Sequence, residues 1–390
     1  MTVNVKKCRI LHIITTLELG GAQKNALDIL AGLDPAAYDK FLICSPQGLL
    51  QAEAKVIPGL HLCVLKSLRR EISPLYDLIA LFKLVQFIKS NNIDVVHTHS
   101  SKAGILGRWA AWFAGAPLIV HSIHGWSFND YQFPWLKKIY IFLERAAGRI
   151  TTQFVAVSVS DINKGLDNKI GARASYALIP YGIDRNAWHA GADSAELKKE
   201  LGINPDNTVV GMVACLKPQK NPLDFIYAAR EIVQLGYKAS FICVGDGVLR
   251  TAMEQRIRDY GLEKNVFLLG WRKDMEKILP LFDISVLTSL WEGLPIALLE
   301  AMAAQKPVVA YGVDGVKEIV RDGINGYCLA PRDRQGLVEK LCILLDNPEL
   351  AREQGLASKT LLQETAAFSR ETMLESIRDL YHKLAQIKHQ

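Results

Sequence analysis

No stretch of this 390-residue chain reaches the ~18 uninterrupted apolar residues that a membrane-spanning helix needs, which argues against a chain that crosses a bilayer. The seven cysteines (Cys8, Cys44, Cys63, Cys215, Cys243, Cys328, Cys342) are scattered, odd in number and show no CxxC pairing. That excludes a disulfide scaffold and reads as reduced thiols in a cytoplasm. Net charge is only +6, and no basic face is dense enough for nucleic acid. The same charge suffices to attract an anionic substrate or membrane surface. A Walker-type lysine loop is missing, and so is any Asp-x-Asp element, so a metal-dependent phosphate site is not expected. The short apolar run that ends at Ile14 is followed at once by Thr15, Thr16, Glu18 and Gly20-Gly21, which makes it a first strand and not a secretion signal.

What is present is ordinary globular material, 49% hydrophobic and 22% charged, long enough for two domains. Short β-branched runs at 9–15, 40–44, 60–65, 94–98, 118–122 and 154–158 alternate with helical patterns. The alternation restarts after Asp184, with strands expected at 209–215, 239–244, 266–269, 284–287 and 308–310. Such alternation predicts an α/β chain of two Rossmann-like units with parallel sheets. The turn-rich segment 179–184 and the polar stretch 191–199 mark the boundary. The reading is an N-terminal domain over 1–184, a C-terminal domain over 185–369, and a helix over 370–390 that crosses back to the first domain.

The most informative stretch surrounds Glu292 and Glu300. Between 294 and 304 every residue except Glu300 is apolar, and an unpaired buried carboxylate costs several kcal/mol. Glu300 therefore either has protein partners or meets a polar ligand. Pro295 suits a first helical position, which leaves the amides of Gly293 and Leu294 to face an anion. One carboxylate can then hold ribose hydroxyls, the amides a diphosphate, and the other carboxylate a sugar. Two glutamates eight apart mean little alone; the context carries the reading.

Other motifs are weaker. Gly20-Gly21 opens a helix after the first strand and lets amides approach a phosphate or sugar, or simply makes a tight turn. Gly245-Asp246-Gly247 begins like a dinucleotide fingerprint, but Arg250 replaces the third glycine and no acidic residue follows at the required distance. Lys217 and Lys220 lie in a loop between strand and helix, where ammonium groups could stabilise a departing diphosphate or merely face solvent. His97-Thr98-His99 and His121-Ser122-Ile123-His124 each end a strand, and alternate residues point to one face. Strand-end histidines more often hydrogen-bond than ligate, so no metal is expected, and a polar lining that includes His124 is the better reading. Trp126, Phe128 and the aromatic and basic residues to 143 fit either a membrane-interface segment or a helix packed on the core.

Taken together these stretches resemble the retaining glycosyltransferases of family 4, whose GT-B fold has two Rossmann-like domains facing a cleft. The resemblance rests on Gly20-Gly21-Ala22, His124-Gly125, segment 179–184, Lys220, Gly245-Asp246-Gly247, and Glu292-Gly293-Leu294-Pro295 with Glu300. It implies a nucleotide-sugar donor and no cofactor. Glu300 would take the donor ribose, Glu292 the transferred sugar, and Gly293, Leu294 and Lys220 the diphosphate. His124 would meet the donor sugar from the other domain, Gly20 and Gly21 would approach the phosphate or the acceptor, and the base would lie near Gly270, Trp271 and Arg272. The stretch from Asp94 to Phe128 is similar to members that build bacterial surface polysaccharides on lipid-linked acceptors. It suggests acceptor contacts at His99, Trp126 and Phe128, and a protein peripheral on the inner face of the cytoplasmic membrane.

Two positions depart from the family pattern. Cys215 stands where an arginine is usual, and Tyr181 where asparagine is frequent. Lys217, two residues beyond Cys215, would supply the missing charge if the strand stays extended. The commitment is transfer of a hexose-type sugar from a nucleotide diphosphate, most readily UDP, to an acceptor hydroxyl with retention. Rival readings are a nucleotide-sugar epimerase, a nicotinamide oxidoreductase, and a non-catalytic sugar-nucleotide sensor made conceivable by Cys215.

Overall fold

Every strand pairing among the described residues is parallel, and the strands divide between two sheets. The structure, a computed structural model, describes residues 7–185, 187–188 and 194–388. The first sheet contains β1 (Cys8–Ile13), β2 (Tyr38–Cys44), β3 (Leu60–Val64), β4 (Val95–His99), β5 (Leu118–Ile123), β6 (Gln153–Ala156) and β7 (Tyr176–Leu178), in the order β3-β2-β1-β4-β5-β6-β7. The second contains β8 (Thr208–Val213), β9 (Ala239–Val244), β10 (Val266–Gly270), β11 (Ile284–Leu287), β12 (Val308–Tyr311) and β13 (Gly326–Leu329), in the order β10-β9-β8-β11-β12-β13. In each sheet the order reverses beside the first strand, the doubly wound arrangement expected of Rossmann-like units. Central strands are continuous apolar runs because helices cover both faces; every residue of β9 is buried.

The chain forms two compact units, one from the residues up to Gly182 together with the helix Arg370–Lys388, the other from Ile183–Ser369. The strands expected from the sequence are present within one or two residues, while β7 and β13 were not expected. Of the polar stretch 191–199, residues 191–193 lie outside the described residues, and a helix runs over Ser194–Glu200. In the first unit Met373, Ile377, Tyr381 and Leu384 of the last helix pack with Ile10, Ile29, Val95 and Val120 in one buried cluster.

Lys40, Arg108 and Glu144 are buried charges of the first unit that have partners. Lys40 on β2 is fully buried and donates to the carbonyls of Leu30 (2.9 Å) and Leu33 (3.0 Å), closing the C-terminal end of the helix Gly21–Gly32. Arg108 and Glu144 form a buried pair at 2.6 Å that joins the helices Ser101–Ala114 and Pro134–Gly148, and Arg108 also donates to the Gly104 carbonyl.

Candidate active site

In the second unit the loops that leave the carboxyl ends of β8, β11 and β12 are stitched to one another. Gln219 donates from its side chain to the Trp291 carbonyl (2.7 Å), and the Leu290 amide donates to the Gln219 carbonyl (2.8 Å). The Thr288 hydroxyl lies 3.0 Å from the carbonyls of both Lys220 and Asn221. From the other side the Glu292 amide donates to Asp314 Oδ2 (2.9 Å), and the Gly315 amide to the Gly293 carbonyl (3.0 Å). These bonds sit at the reversal between β8 and β11, where open parallel sheets gather ligands. They hold Lys220 against Glu292 as an ion pair, with the carboxylate side 7% exposed.

Next to this pair, the helix Ile296–Ala303 begins one residue later than the sequence predicts. Pro295 is the flanking residue (φ −77°, ψ 105°), and its carbonyl accepts from the Leu298 amide at 3.0 Å. Among the described residues the N–H groups of Gly293 and Leu294 donate to nothing. Two amides beside a lysine form an environment for an anion, and the flanking carboxylate of Glu292 suits hydroxyl groups. Glu300 lies buried on the same helix.

Gly245-Asp246-Gly247 serves first to pack this loop. Gly245 has φ +127°, and a Cβ there would lie 2.0 Å from the Ala214 carbonyl oxygen; at Gly247 it would meet the Leu216 oxygen at 2.6 Å. The Asp246 carboxylate bonds its own neighbour, the Gly247 amide (2.7 Å), and Arg250 (3.3 Å). Arg272 is held bidentate by Asp274 (2.9 and 2.6 Å), which raises its pKa further.

The geometric premise for Lys217 does not hold. The strand ends at Val213, and the Lys217 amide bonds the Cys215 carbonyl (2.8 Å) across Leu216, so the chain turns there and strand alternation no longer relates the two side chains. Sequence reasoning also missed the residues that set this loop. Asn221 adopts a left-handed conformation (φ 45°) and donates to the buried Asp224 (2.6 Å), which also accepts from Tyr311 (2.8 Å) and pairs with Arg334. Partners 87 and 110 positions apart leave no local signal.

In the first unit Gly20 flanks the helix Gly21–Gly32, and among the described residues the amides of Gly21 and Ala22 donate to nothing. Thr15, just beyond β1, bonds Ser100, just beyond β4 (2.8 Å). Three expected acceptor contacts are corrected. His99 is fully buried, with its nitrogens bonded to His12 (2.9 Å) and His124 (3.0 Å). Trp126 and Phe128 stack on each other inside a core cluster with Phe154 and Ile162, and the Trp126 indole donates to the Asp161 carbonyl. All three side chains are buried. The aromatic segment is thus divided: its start is core, while Phe133, Trp135, Ile139 and Phe142 are exposed on and before the helix Pro134–Gly148.

His124 is half-buried and bonds Tyr181 (2.5 Å) through Nδ1 and His99 through Nε2. Burial lowers its pKa to about 3, so it is a neutral imidazole. Ring nitrogens of His12, His97 and His99 lie within 4.8 Å of one another, close enough to hold a metal, but each already takes part in hydrogen bonds.

Known proteins resemble the chain over nearly its whole length. Residues 20–182 match the family described as a glycosyl transferase 4-like domain, and residues 193–360 the glycosyl transferases group 1. The UDP-Gal:alpha-D-GlcNAc-diphosphoundecaprenol alpha-1,3-galactosyltransferase of Escherichia coli is 32% identical over 380 residues, which is 96% of this chain and 97% of that one. Among solved structures, Anabaena HepE in complex with UDP and glucose aligns with a TM-score of 0.82 at 22% identity, over 96% of this chain and all of that one. Sucrose-phosphate synthase from Thermosynechococcus elongatus aligns at 0.83 and 19%, over 98% of this chain and all of that one. At those identities the structures establish the fold, which is GT-B. The full-length relative establishes the family: this chain belongs to the family 4 (group 1) glycosyltransferases and is a glycosyltransferase.

Proposed function

We propose that the protein transfers a hexose-type sugar from a UDP-sugar to a hydroxyl of a lipid-linked saccharide, with retention at the anomeric carbon, in the synthesis of a bacterial surface polysaccharide. The observation that carries this reading is the full-length similarity to an enzyme named for UDP-galactose and a diphosphoundecaprenol-linked acceptor. The second unit provides suitable chemistry. Gly293, Leu294 and Lys220 take the diphosphate, Glu300 the ribose, Trp271 and Arg272 the base, and Glu292 the sugar. His124 is assigned to the transferred sugar.

Transfer proceeds on one face of the sugar. As the bond to the diphosphate breaks, its leaving oxygen draws the proton from the acceptor hydroxyl, and the new glycosidic bond forms on the same side. Charge builds on the diphosphate, where Lys220 and the two amides lie in wait, so no metal is required. Lys217 is retained as a second cation because it shares the Lys220 loop, and Lys217→Ala should lower turnover strongly; an unchanged rate removes it from the mechanism. No helix among the described residues is long and apolar enough to cross a membrane. Exposed Phe133, Trp135, Ile139 and Phe142, with Lys137 and Lys138 on the same helix, suit attachment at the anionic inner face of the cytoplasmic membrane.

Thermal unfolding against UDP, GDP, ADP and NAD, with and without EDTA, tests the donor. Saturation at ~100 times the dissociation constant adds about 2.7 kcal/mol. A shift with UDP that survives EDTA is expected. A shift with NAD alone, or with no nucleotide, would sink the reading of Glu292, Lys220 and Glu300.

A further inference from the structure

The first unit encloses a run of hydrogen-bonding rings of which the roles above use only His124. In the parallel register His12 lies opposite His97, and His99 opposite Ser122, so β1, β4 and β5 direct these side chains to one face. The helix Arg370–Lys388 brings Tyr381 onto the same group. The contacts form one line: Ser122 Oγ to His97 Nε2 (2.8 Å), His97 Nδ1 to Tyr381 Oη (2.6 Å), Tyr381 Oη to His12 Nε2 (3.2 Å), His12 Nδ1 to His99 Nε2 (2.9 Å), His99 Nδ1 to His124 Nε2 (3.0 Å), and His124 Nδ1 to Tyr181 Oη (2.5 Å).

Each of the four imidazoles uses both nitrogens within this line. Burial holds them neutral, His12 and His124 at about 3 and His97 and His99 well below their usual value, so each carries one ring proton. A neutral imidazole donates through one nitrogen and accepts through the other, and the Tyr381 proton has no acceptor among the described residues besides these rings, so the direction of one link carries through the line. The Ser122 end breaks the tie. Its hydroxyl is 2% exposed, and among the described residues His97 Nε2 is its one side-chain partner. If His97 donated to it, the hydroxyl proton would be buried with no acceptor, which is disfavoured.

We propose that Ser122 polarises the whole line. Ser122 donates to His97, His97 through Nδ1 to Tyr381, Tyr381 to His12, His12 through Nδ1 to His99, His99 through Nδ1 to His124, and His124 through Nδ1 to Tyr181. His124 is thereby fixed as the Nδ1–H tautomer, and the Tyr181 hydroxyl hydrogen is turned away from it, outward from the line. Tyr381, far from His124 in sequence, is a positioning residue that transmits this polarity. The relevance to catalysis rests on the assignment of His124 to the transferred sugar; the polarity itself does not.

Imidazole 15N NMR of the histidine-labelled full-length protein, without donor, reads the tautomers directly and so separates this inference from the donor reading. His12, His97, His99 and His124 should all be Nδ1–H. Any of them as Nε2–H or as imidazolium, or a stoichiometric transition metal retained on the histidines, overturns the proposal. In Tyr381→Phe the ring remains but the link to Ser122 is lost, and His124 should become a mixture of both tautomers. A pure Nδ1–H His124 in that variant removes Tyr381 from the role, and if the variant does not fold the wild-type spectrum still decides the polarity.

Discussion

Acid should weaken the first unit well before its carboxylates titrate. Five of the nine histidines, His12, His97, His99, His121 and His124, are held neutral there, with folded-state pKa values lowered by burial from 6.5. A histidine whose folded pKa lies below its unfolded value binds its proton more readily in the unfolded chain. Stability contributed at neutral pH is therefore lost as pH falls through 6.5, and the loss continues until the folded pKa, about 3 for His12 and His124. At pH 5.5, one unit below the unfolded value, each such group costs about 1.4 kcal/mol relative to pH 7.5. His12 and His124 alone give roughly 3 kcal/mol, and the other three act in the same direction. For a unit of about 200 residues that lowers the midpoint by at least ~6 °C. Calorimetry at pH 7.5 and 5.5, with hydrogen-exchange mass spectrometry to assign the transition to peptides of the first unit, measures it. A first-unit midpoint that moves by less than ~2 °C would refute the claim that these histidines are buried and neutral.

In the second unit, Lys220→Ala should lower kcat about 10²- to 10³-fold, as expected for loss of one charge-stabilising donor. Because Lys220 touches Glu292, combining it with Glu292→Gln should cost less than the two single effects multiplied; additivity within ~0.5 kcal/mol would count against a shared role. Glu144→Gln strands the Arg108 guanidinium in the core and should cost about 3–5 kcal/mol, read as a midpoint lowered by roughly 10 °C. Replacing exposed Trp135 and Phe142 with serine should release the protein from anionic lipid vesicles in a sedimentation assay while leaving its midpoint unchanged; undiminished binding would exclude this helix as the membrane face.

The strands were legible because parallel sheets covered on both faces demand continuous apolar runs, as in β9 and β12. β7, with three residues, and β13, which opens on a glycine, are short edge strands without such a run. The glutamates and amides near 292–300 were legible for a related reason: a lone charge in an apolar helix has to be explained. Asp314 and Asp224 were not, because each acts through partners far along the chain that only the folded loops bring near. The histidine pairs showed their strand ends and their face, yet nothing in the sequence joined them to His12 or Tyr381. Trp126 and Phe128 show how an aromatic cluster can be misread, since their composition is the same whether the rings meet a lipid or each other.

The return of the last helix to the first unit has a temporal consequence. Its core needs Met373, Ile377 and Tyr381, which leave the ribosome only after all of Ile183–Ser369 has been made. The second unit, contiguous in the chain, can fold during synthesis, while the first, although all seven of its strands are made earlier, must wait with the seat of its final helix exposed. The two connections between the units run side by side, with the Ile183 amide donating to the Phe368 carbonyl at 3.0 Å. Folding of the inserted unit therefore draws the departing and returning strands together and delivers the final helix to the half-built partner. The order of birth along the chain thus makes the folding of the second unit a step towards completing the unit that precedes it.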